Sequence, residues 1–113
     1  MTAIDIAVLE RYREAKATRQ EEIDLSKLPV GAKIKVISES ATTTYFLEMT
    51  SPGEGKARVI CDRNDQTEDL GHQLLYSFTP GHHIPSRSEI REGDQLWFHT
   101  VRCLWVSELF LLE

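Results

Sequence analysis

The segment that decides the fold is GAKIKVISESATTTYFLEMTSPGEGKARVIC, residues 31–61. Its apolar residues recur at every second position, which is typical of β-strands that bury one face. The separators SESAT and SPGEG are short and rich in turn-forming residues, so the segment predicts three strands connected as a meander. The residues expected to share a face are Ile34 with Val36; Tyr45 with Leu47 and Met49; and Ala57 with Val59 and Cys61.

The same spacing of one glycine and three apolar residues occurs at two places in the chain, LPVGAKIKV at 28–36 and IREGDQLWF at 90–98. In each copy a glycine, Gly31 or Gly93, stands where a loop must turn into a strand, a position that often requires a positive φ. As a ligand motif the spacing is weak, because it lacks the helix and the further glycines of a phosphate-binding loop. The two glycines are therefore predicted to be structural turns that each open a hairpin-like pair of strands.

The C-terminal half continues the β pattern. QLLYSF, residues 73–78, predicts a fourth strand, and the chain from Leu96 to the end is the most strongly β-forming part. The acidic segment 62–72 and the proline-bounded segment 79–88 are expected to be loops. The final run, CLWVSELFLL, is so apolar that both of its faces need cover, either from an N-terminal helix or from another subunit.

The N-terminal segment has a helical rather than an alternating pattern. Residues 2 to about 22 have a helical pattern whose apolar stripe contains Ile4, Ala7, Val8, Tyr12 and Ala15. The stripe fades after Ala15, so the polar second half is expected to be either a solvated helix or a frayed connector. The expected organisation is an N-terminal amphipathic helix and connector at 1–27, followed by a small β-barrel domain at 28–113. The predicted fold class is mainly β, a small antiparallel barrel or rolled sheet of five or six strands with one N-terminal α-helix.

Composition limits the classes of partner. The chain of 113 residues has a net charge of -5, the wrong sign for a protein that holds many phosphates, so nucleic acid and anionic membranes are not expected partners. No apolar run approaches the ~18 residues of a membrane span, and the N-terminus lacks the basic region of a signal peptide. Cys61 and Cys103 are expected to be reduced and buried, with a disulfide as the alternative, in a cytoplasmic protein.

The strand pattern also suggests a family. GAKIKVISESATTTYFLEMTSPGEGKARVI, followed by IREGDQLWF and VSELFLL, resembles short bacterial β-domains of unknown function. Their pattern is a glycine-led strand, a Ser or Thr turn, a strand containing Tyr, and a closing glycine-led hairpin. The resemblance covers about residues 28–111. It implies a small all-β domain and brings no activity with it.

Histidines near the second loop raise the possibility of a ligand site. His82 and His83, with Tyr76 beside them, would line a small-molecule or metal pocket near residues 80–85 that could be catalytic. Against a metal, no two cysteines have the spacing of a zinc site, and adjacent residues in an extended segment point to opposite sides. No cofactor is predicted, and this pocket is kept as the alternative function.

Two other kinds of chemistry are less well supported. The acidic segment after Cys61 places side-chain oxygens at alternate positions, as a calcium loop does, but Thr67 stands where that loop requires glycine and Gln73 where it requires glutamate. A cysteine nucleophile needs an electropositive, partly open setting, whereas both cysteines lie in strand-like runs. Whether the protein is an enzyme stays open, with a non-enzyme favoured.

An outward-facing tryptophan is the strongest functional signal. If Leu96 and Phe98 face the core, Trp97 faces outward, and an exposed tryptophan is a favoured interface anchor. The predicted interface residues are Trp97, His99 and Trp105 in the closing hairpin and Val8 and Tyr12 on the helix. Either the helix covers Trp97 within one chain or another protein does. The favoured function is a non-catalytic binding or assembly module that forms a homo-oligomer or binds a protein partner.

Overall fold

The alternating segments form strands as predicted. A computed structural model describes residues 6–40, 42–63, 66–82, 84–98 and 102–113, with only the backbone described at 102 and 103. The strands in this part of the chain are β1 (Ala17–Arg19), β2 (Glu22–Asp24), β3 (Lys33–Ser38), β4 (Thr43–Ser51), β5 (Lys56–Arg63), β6 (Thr67–Phe78), β7 (Glu89–Arg91), β8 (Gln95–Phe98) and β9 (Arg102–Leu112). The α-helix α1 spans Ile6–Glu14, and short 3-10 helices span Leu25–Lys27 and Pro52–Glu54.

Six of these strands close into an antiparallel barrel. The order is β3, β4, β5, β6, β8 and β9, and β9 pairs back onto β3. Closure is possible because β9 is long: its first residues pair with β8, and its later residues pair with β3. β1 extends the sheet along the end of β9, and β2 with β7 forms a separate two-stranded sheet. The structure confirms the predicted small barrel with one N-terminal helix.

The barrel interior is filled by every second residue of its strands. The alternation at Ile34, Leu47 and Val59 is confirmed, because these side chains are fully buried while their sequence neighbours Lys33 and Glu48 are not. The buried residues inside the barrel are Ile34, Val36, Tyr45, Leu47, Met49, Ala57, Val59, Cys61, Leu75, Leu96, Phe98, Leu104, Val106 and Leu109. Cys61 is a free, buried thiol, whereas the side chain of Cys103 lies outside the described part of the chain.

The two glycine turns have the same backbone geometry. Gly31 has a φ of 90° and Gly93 a φ of 93°, so both occupy the left-handed region. Gly31 donates its amide to the carbonyl of Met49 at 2.7 Å, and Gly93 donates to the carbonyl of Val106 at 2.7 Å. In each copy, the amide of the residue that follows the glycine donates to the carbonyl of the residue two positions before the glycine. This hydrogen bond closes a four-residue β-turn. The shared spacing thus marks the entrances to β3 and β8.

The polar half of residues 2–22, for which a solvated helix and a frayed connector were the alternatives, is not helical. α1 ends at Glu14, and two short strands follow it. β1 pairs its backbone with the end of β9, and Ile23 of β2 lies opposite Ile90 of β7 with both side chains buried. A polar segment gains little as a solvated helix, so pairing with strands already in place decides its conformation. No helix in the described ranges has the length and apolar character needed to cross a membrane.

α1 packs on the outside of its own barrel. Leu9 and Tyr12 are buried against Phe46, Ile60 and Leu112, the outward residues of β4, β5 and β9. The rings of Tyr12 and Phe46 stack with their centroids 5.3 Å apart. The helix therefore supplies part of the cover that the apolar C-terminal run needs.

The expected acidic loop at 62–72 is mostly strand. β5 and β6 extend into this segment and leave only a short connection between them. Two of its carboxylates lie on the outer face of the barrel and bind cations there: Asp62 binds Arg13 of the helix at 2.7 Å, and Asp69 binds Arg58 on the neighbouring strand. Paired charges allow an acidic sequence to remain in a sheet.

Candidate functional site

Aromatic side chains gather on the outer face of β6, β8 and β9. Trp97 points outward from β8, directly opposite Tyr76 of β6, while its neighbours Leu96 and Phe98 point into the core. Trp105 of β9 is 46% exposed, which is unusual for so large an apolar side chain. We call the outward face formed by Tyr76, Phe78, Trp97 and Trp105 the tryptophan surface.

A groove of about 240 Å³ runs between the tryptophan surface and the loop after β6. Its lining residues are Phe78, Thr79, Pro80, Gly81, His82, Gln95, Trp97 and Trp105. Among the described residues, no lining side chain except the imidazole of His82 is ionisable. The groove therefore presents aromatic rings with a few uncharged polar groups, the composition of a protein-binding patch rather than of a site for a strongly charged ligand.

Polar contacts on the tryptophan surface are incomplete. The indole Nε1 of Trp97 is buried and has no hydrogen-bond partner among the described residues. An unsatisfied buried donor costs about 1–3 kcal/mol. At the other edge, the Arg87 guanidinium lies 4.9 Å from the centre of the Tyr76 ring and donates to its hydroxyl at 3.2 Å. Arg87 thus covers Tyr76 from one side and leaves the two tryptophans as the open part of the surface.

The predicted site residues are divided between two places. Trp97 and Trp105 line one groove together with His82, so the structure joins residues that the sequence assigned to two different functions. Tyr76 adjoins this groove through its pairing with Trp97. Two predicted residues, His99 and His83, lie outside the described residues.

The helical interface residues lie elsewhere. Val8 and Tyr12 face the outer side of β4 and β5, and neither lines the groove of the tryptophans. The helix therefore leaves Trp105 open, although cover by the helix was one of the two alternatives for this face. Within the described part of the chain, no three His, Cys, Asp or Glu side chains come together in a way that could hold a metal ion.

A row of charged side chains crosses the barrel on the helix side. Lys33 lies opposite Glu48, Glu48 lies opposite Arg58, and Arg58 lies opposite His72, on four successive strands. The sequence pattern alone did not reveal this row. Glu48 and Arg58 each fall between two inward-facing residues, but only the strand register shows that they are neighbours.

Two hydrogen-bonded pairs organise this row. The hydroxyl of Tyr12 donates to Glu48 Oε2 at 3.0 Å, and burial together with this hydrogen bond raises the pKa of Tyr12 to about 12. The guanidinium of Arg58 binds Asp69, and this hydrogen bond lowers the pKa of the Asp69 carboxyl. Tyr12 is therefore a protonated donor at neutral pH, and both carboxylates are engaged.

Grooves of about 610 Å³ and about 480 Å³ lie on either side of Glu48 and Arg58. The larger groove reaches from these two residues to His72 and the exposed side chain of Val30. The smaller one lies between α1 and the outer face of β3, β4 and β5, and we call it the helix groove. Its lining residues are Val8, Arg11, Tyr12, Ala15, Lys33, Glu48, Arg58 and Glu113.

No protein-family model, curated protein or solved structure matches this chain. The resemblance to short bacterial β-domains therefore stays a prediction. The two surfaces that bear on function are the tryptophan surface and the helix groove.

Proposed function

We propose that this protein is a non-catalytic assembly module that self-associates through the tryptophan surface. The single observation that carries the proposal is the exposure of Trp105, 46% of whose surface is open to solvent next to the half-buried Trp97. Tryptophan is the residue type most enriched at the energetic centres of protein interfaces.

Charge favours a second copy of the chain as the partner. Each copy carries a net charge of -5, so most faces of two copies repel one another. Among the described residues, the groove at the tryptophan surface contains no carboxylate, and two copies can meet there without placing carboxylates opposite each other. A symmetric dimer uses the same patch on both subunits, which suits a patch that is mainly aromatic.

A small-molecule pocket is the second candidate, because the groove brings His82 together with two indole rings. Its volume of about 240 Å³ supports this candidate less well. Pockets for drug-sized ligands usually measure ~300–1,000 Å³. A groove of this size accommodates one or two side chains of a protein partner, so self-association is the better supported function.

The proposal includes the cytoplasmic location expected from the sequence. The buried, free thiol of Cys61 supports it, because reducing compartments keep such thiols unpaired. Nucleic acid and membranes have no part in the proposed function, in keeping with the net charge of -5.

Sedimentation velocity over a series of protein concentrations tests self-association. We expect the wild type to dimerise and Trp105→Ser to dimerise at least tenfold more weakly, since losing an interface tryptophan costs about 2 kcal/mol or more. Val30→Ser is the matched control, because Val30 is 74% exposed but lines the larger groove on the helix side. It should dimerise like the wild type.

Two results would contradict the proposal. One is a wild type that remains monomeric at every concentration, and the other is a Trp105→Ser variant that dimerises as strongly as the wild type. A monomer that is stabilised by a small ligand, and that loses this stabilisation on Trp105→Ser, would favour the second candidate instead.

A further inference from the structure

The helix groove is a second surface with the features of a ligand site. It is bounded on one side by α1 and on the other by the outer faces of β3, β4 and β5. Its volume of about 480 Å³ falls in the range of small-molecule sites, ~300–1,000 Å³. Val8 and Ala15 contribute apolar surface, while the remaining lining residues are polar or charged.

The helix groove is richer in cations than the chain as a whole. Among the described residues, three cations, Arg11, Lys33 and Arg58, line it together with two carboxylates, Glu48 and Glu113. Arg58 is already paired with Asp69, so Arg11 and Lys33 are the cations available to a small anion.

Two of these cations have no carboxylate partner. Within the described residues, Arg11 and Lys33 form no ion pair, whereas Arg58 binds Asp69. The hydrogen bonds that they do make are long: Arg11 Nε to the carbonyl of Ala7 at 3.4 Å, and Lys33 Nζ to the carbonyl of Gly31 at 3.4 Å. Hydrogen bonds of this length are weak, so both side chains keep donors for a ligand.

The nearest carboxylate is engaged with another donor. Glu48 lies directly opposite Lys33, but its Oε2 accepts a hydrogen bond from Tyr12 at 3.0 Å. Because the pKa of Tyr12 is raised to about 12, the phenol keeps its proton and remains this donor at neutral pH. Within the described residues, Glu48 forms no ion pair with Lys33 or Arg11.

We propose that the helix groove binds a small organic anion that carries a carboxylate or phosphate group. Lys33 and Arg11 would bind the anionic group, and Val8 and Ala15 would contact its short apolar part. Extended polyanions are disfavoured, since Glu48 and the net charge of the chain would repel the additional phosphates. This site is independent of the proposed self-association.

Isothermal titration calorimetry at low ionic strength tests the proposal with three probes, succinate, 3-phosphoglycerate and inorganic phosphate. We expect at least one of them to bind, and the comparison among them shows whether the groove prefers carboxylate or phosphate. Lys33→Gln and Arg11→Gln should each weaken binding about tenfold, the equivalent of ~1.4 kcal/mol. Both substitutions are on the outer surface, and thermal unfolding of each variant serves as the check on folding.

Lys35→Gln is the matched control. Lys35 lies two residues from Lys33 on the same outward face of β3, but its amine sits 5.3 Å from the centre of the Phe110 ring and does not line the groove. The Lys35→Gln and Trp105→Ser variants should bind the probes as tightly as the wild type. The proposal is overturned if no probe binds, or if the Lys33→Gln and Arg11→Gln variants bind as tightly as the wild type.

Discussion

At the scale of single residues, the two turn glycines allow a test of the backbone conformation. Gly31 and Gly93 both lie in the left-handed region, with φ values of 90° and 93°, although an added Cβ would meet no described atom within 4 Å at either position. Backbone strain alone should therefore set the cost of a side chain, about 1–3 kcal/mol. We expect Gly31→Ala and Gly93→Ala to lower the free energy of unfolding by similar amounts in urea titrations.

Gly53 provides the comparison for these turns. An added Cβ has open space there as well, but Gly53 does not have the positive φ of the turn glycines. Gly53→Ala should change stability by less than either turn substitution. Equal effects at all three positions would show that the glycine turns do not have the backbone conformation described here.

The raised pKa of Tyr12 predicts a loss of stability in alkali. Below pH 10 the phenol is protonated in both the folded and the unfolded chain, whereas between its ordinary pKa of ~10 and the folded value of about 12 only the unfolded chain releases the proton. The free energy of unfolding should therefore fall as pH rises through this window, by about 1.4 kcal/mol at pH ~11.

Tyr12→Phe should abolish this part of the alkaline loss while costing about 1 kcal/mol at neutral pH, because Glu48 loses its donor. Urea titrations at pH 9 and pH 11 measure both effects. Tyr76→Phe, which removes a hydroxyl from the tryptophan surface, should keep the alkaline loss of the wild type. An identical pH dependence in Tyr12→Phe and the wild type would contradict the assignment.

At the scale of elements, the attachment of α1 to the barrel depends on Leu9, which is 3% exposed. Leu9→Ala should lower the free energy of unfolding by about 2–4 kcal/mol, because it leaves a cavity against the barrel. Ile6→Ala changes a residue of the same helix that is 71% exposed, and should cost little. Similar costs for the two substitutions in urea unfolding would show that the helix does not pack as described.

Elements held by buried side chains were predictable from the sequence, whereas elements held only by backbone pairing were not. β3, β4 and β5 were predictable because residues such as Ile34 and Leu47 are buried on one face, which produces a period of two. β1 was not predictable, since all three of its residues are exposed and its pairing with β9 uses the backbone. The end of α1 at Glu14 was not predictable for the same reason.

The two candidate sites also differ in how far the sequence predicts them. The outward direction of Trp97 followed from its two buried neighbours on β8, without knowledge of the register. The helix groove depends on Lys33, Glu48 and Tyr12 coming together from three elements. Register across strands and the placement of a helix depend on loop geometry and tertiary packing, which local sequence patterns do not contain.

At the scale of the whole molecule, the barrel has two different outer sides. The side that carries α1 is charged and grooved, and the side formed by β6, β8 and the start of β9 is aromatic and lacks helical cover. Under the proposed function, the side that the helix leaves open is the face for association. Assembly through that face would leave the helix groove accessible.

Intrinsic tryptophan fluorescence tests this claim most directly. The chain contains two tryptophans, and both line the groove of the tryptophan surface, so their emission reports on that surface without a label. We predict blue-shifted emission with weak acrylamide quenching at high protein concentration, and a shift to the red with stronger quenching on dilution, as Trp105 becomes exposed to water. Emission and quenching that stay constant over the whole dilution series would contradict self-association through this face.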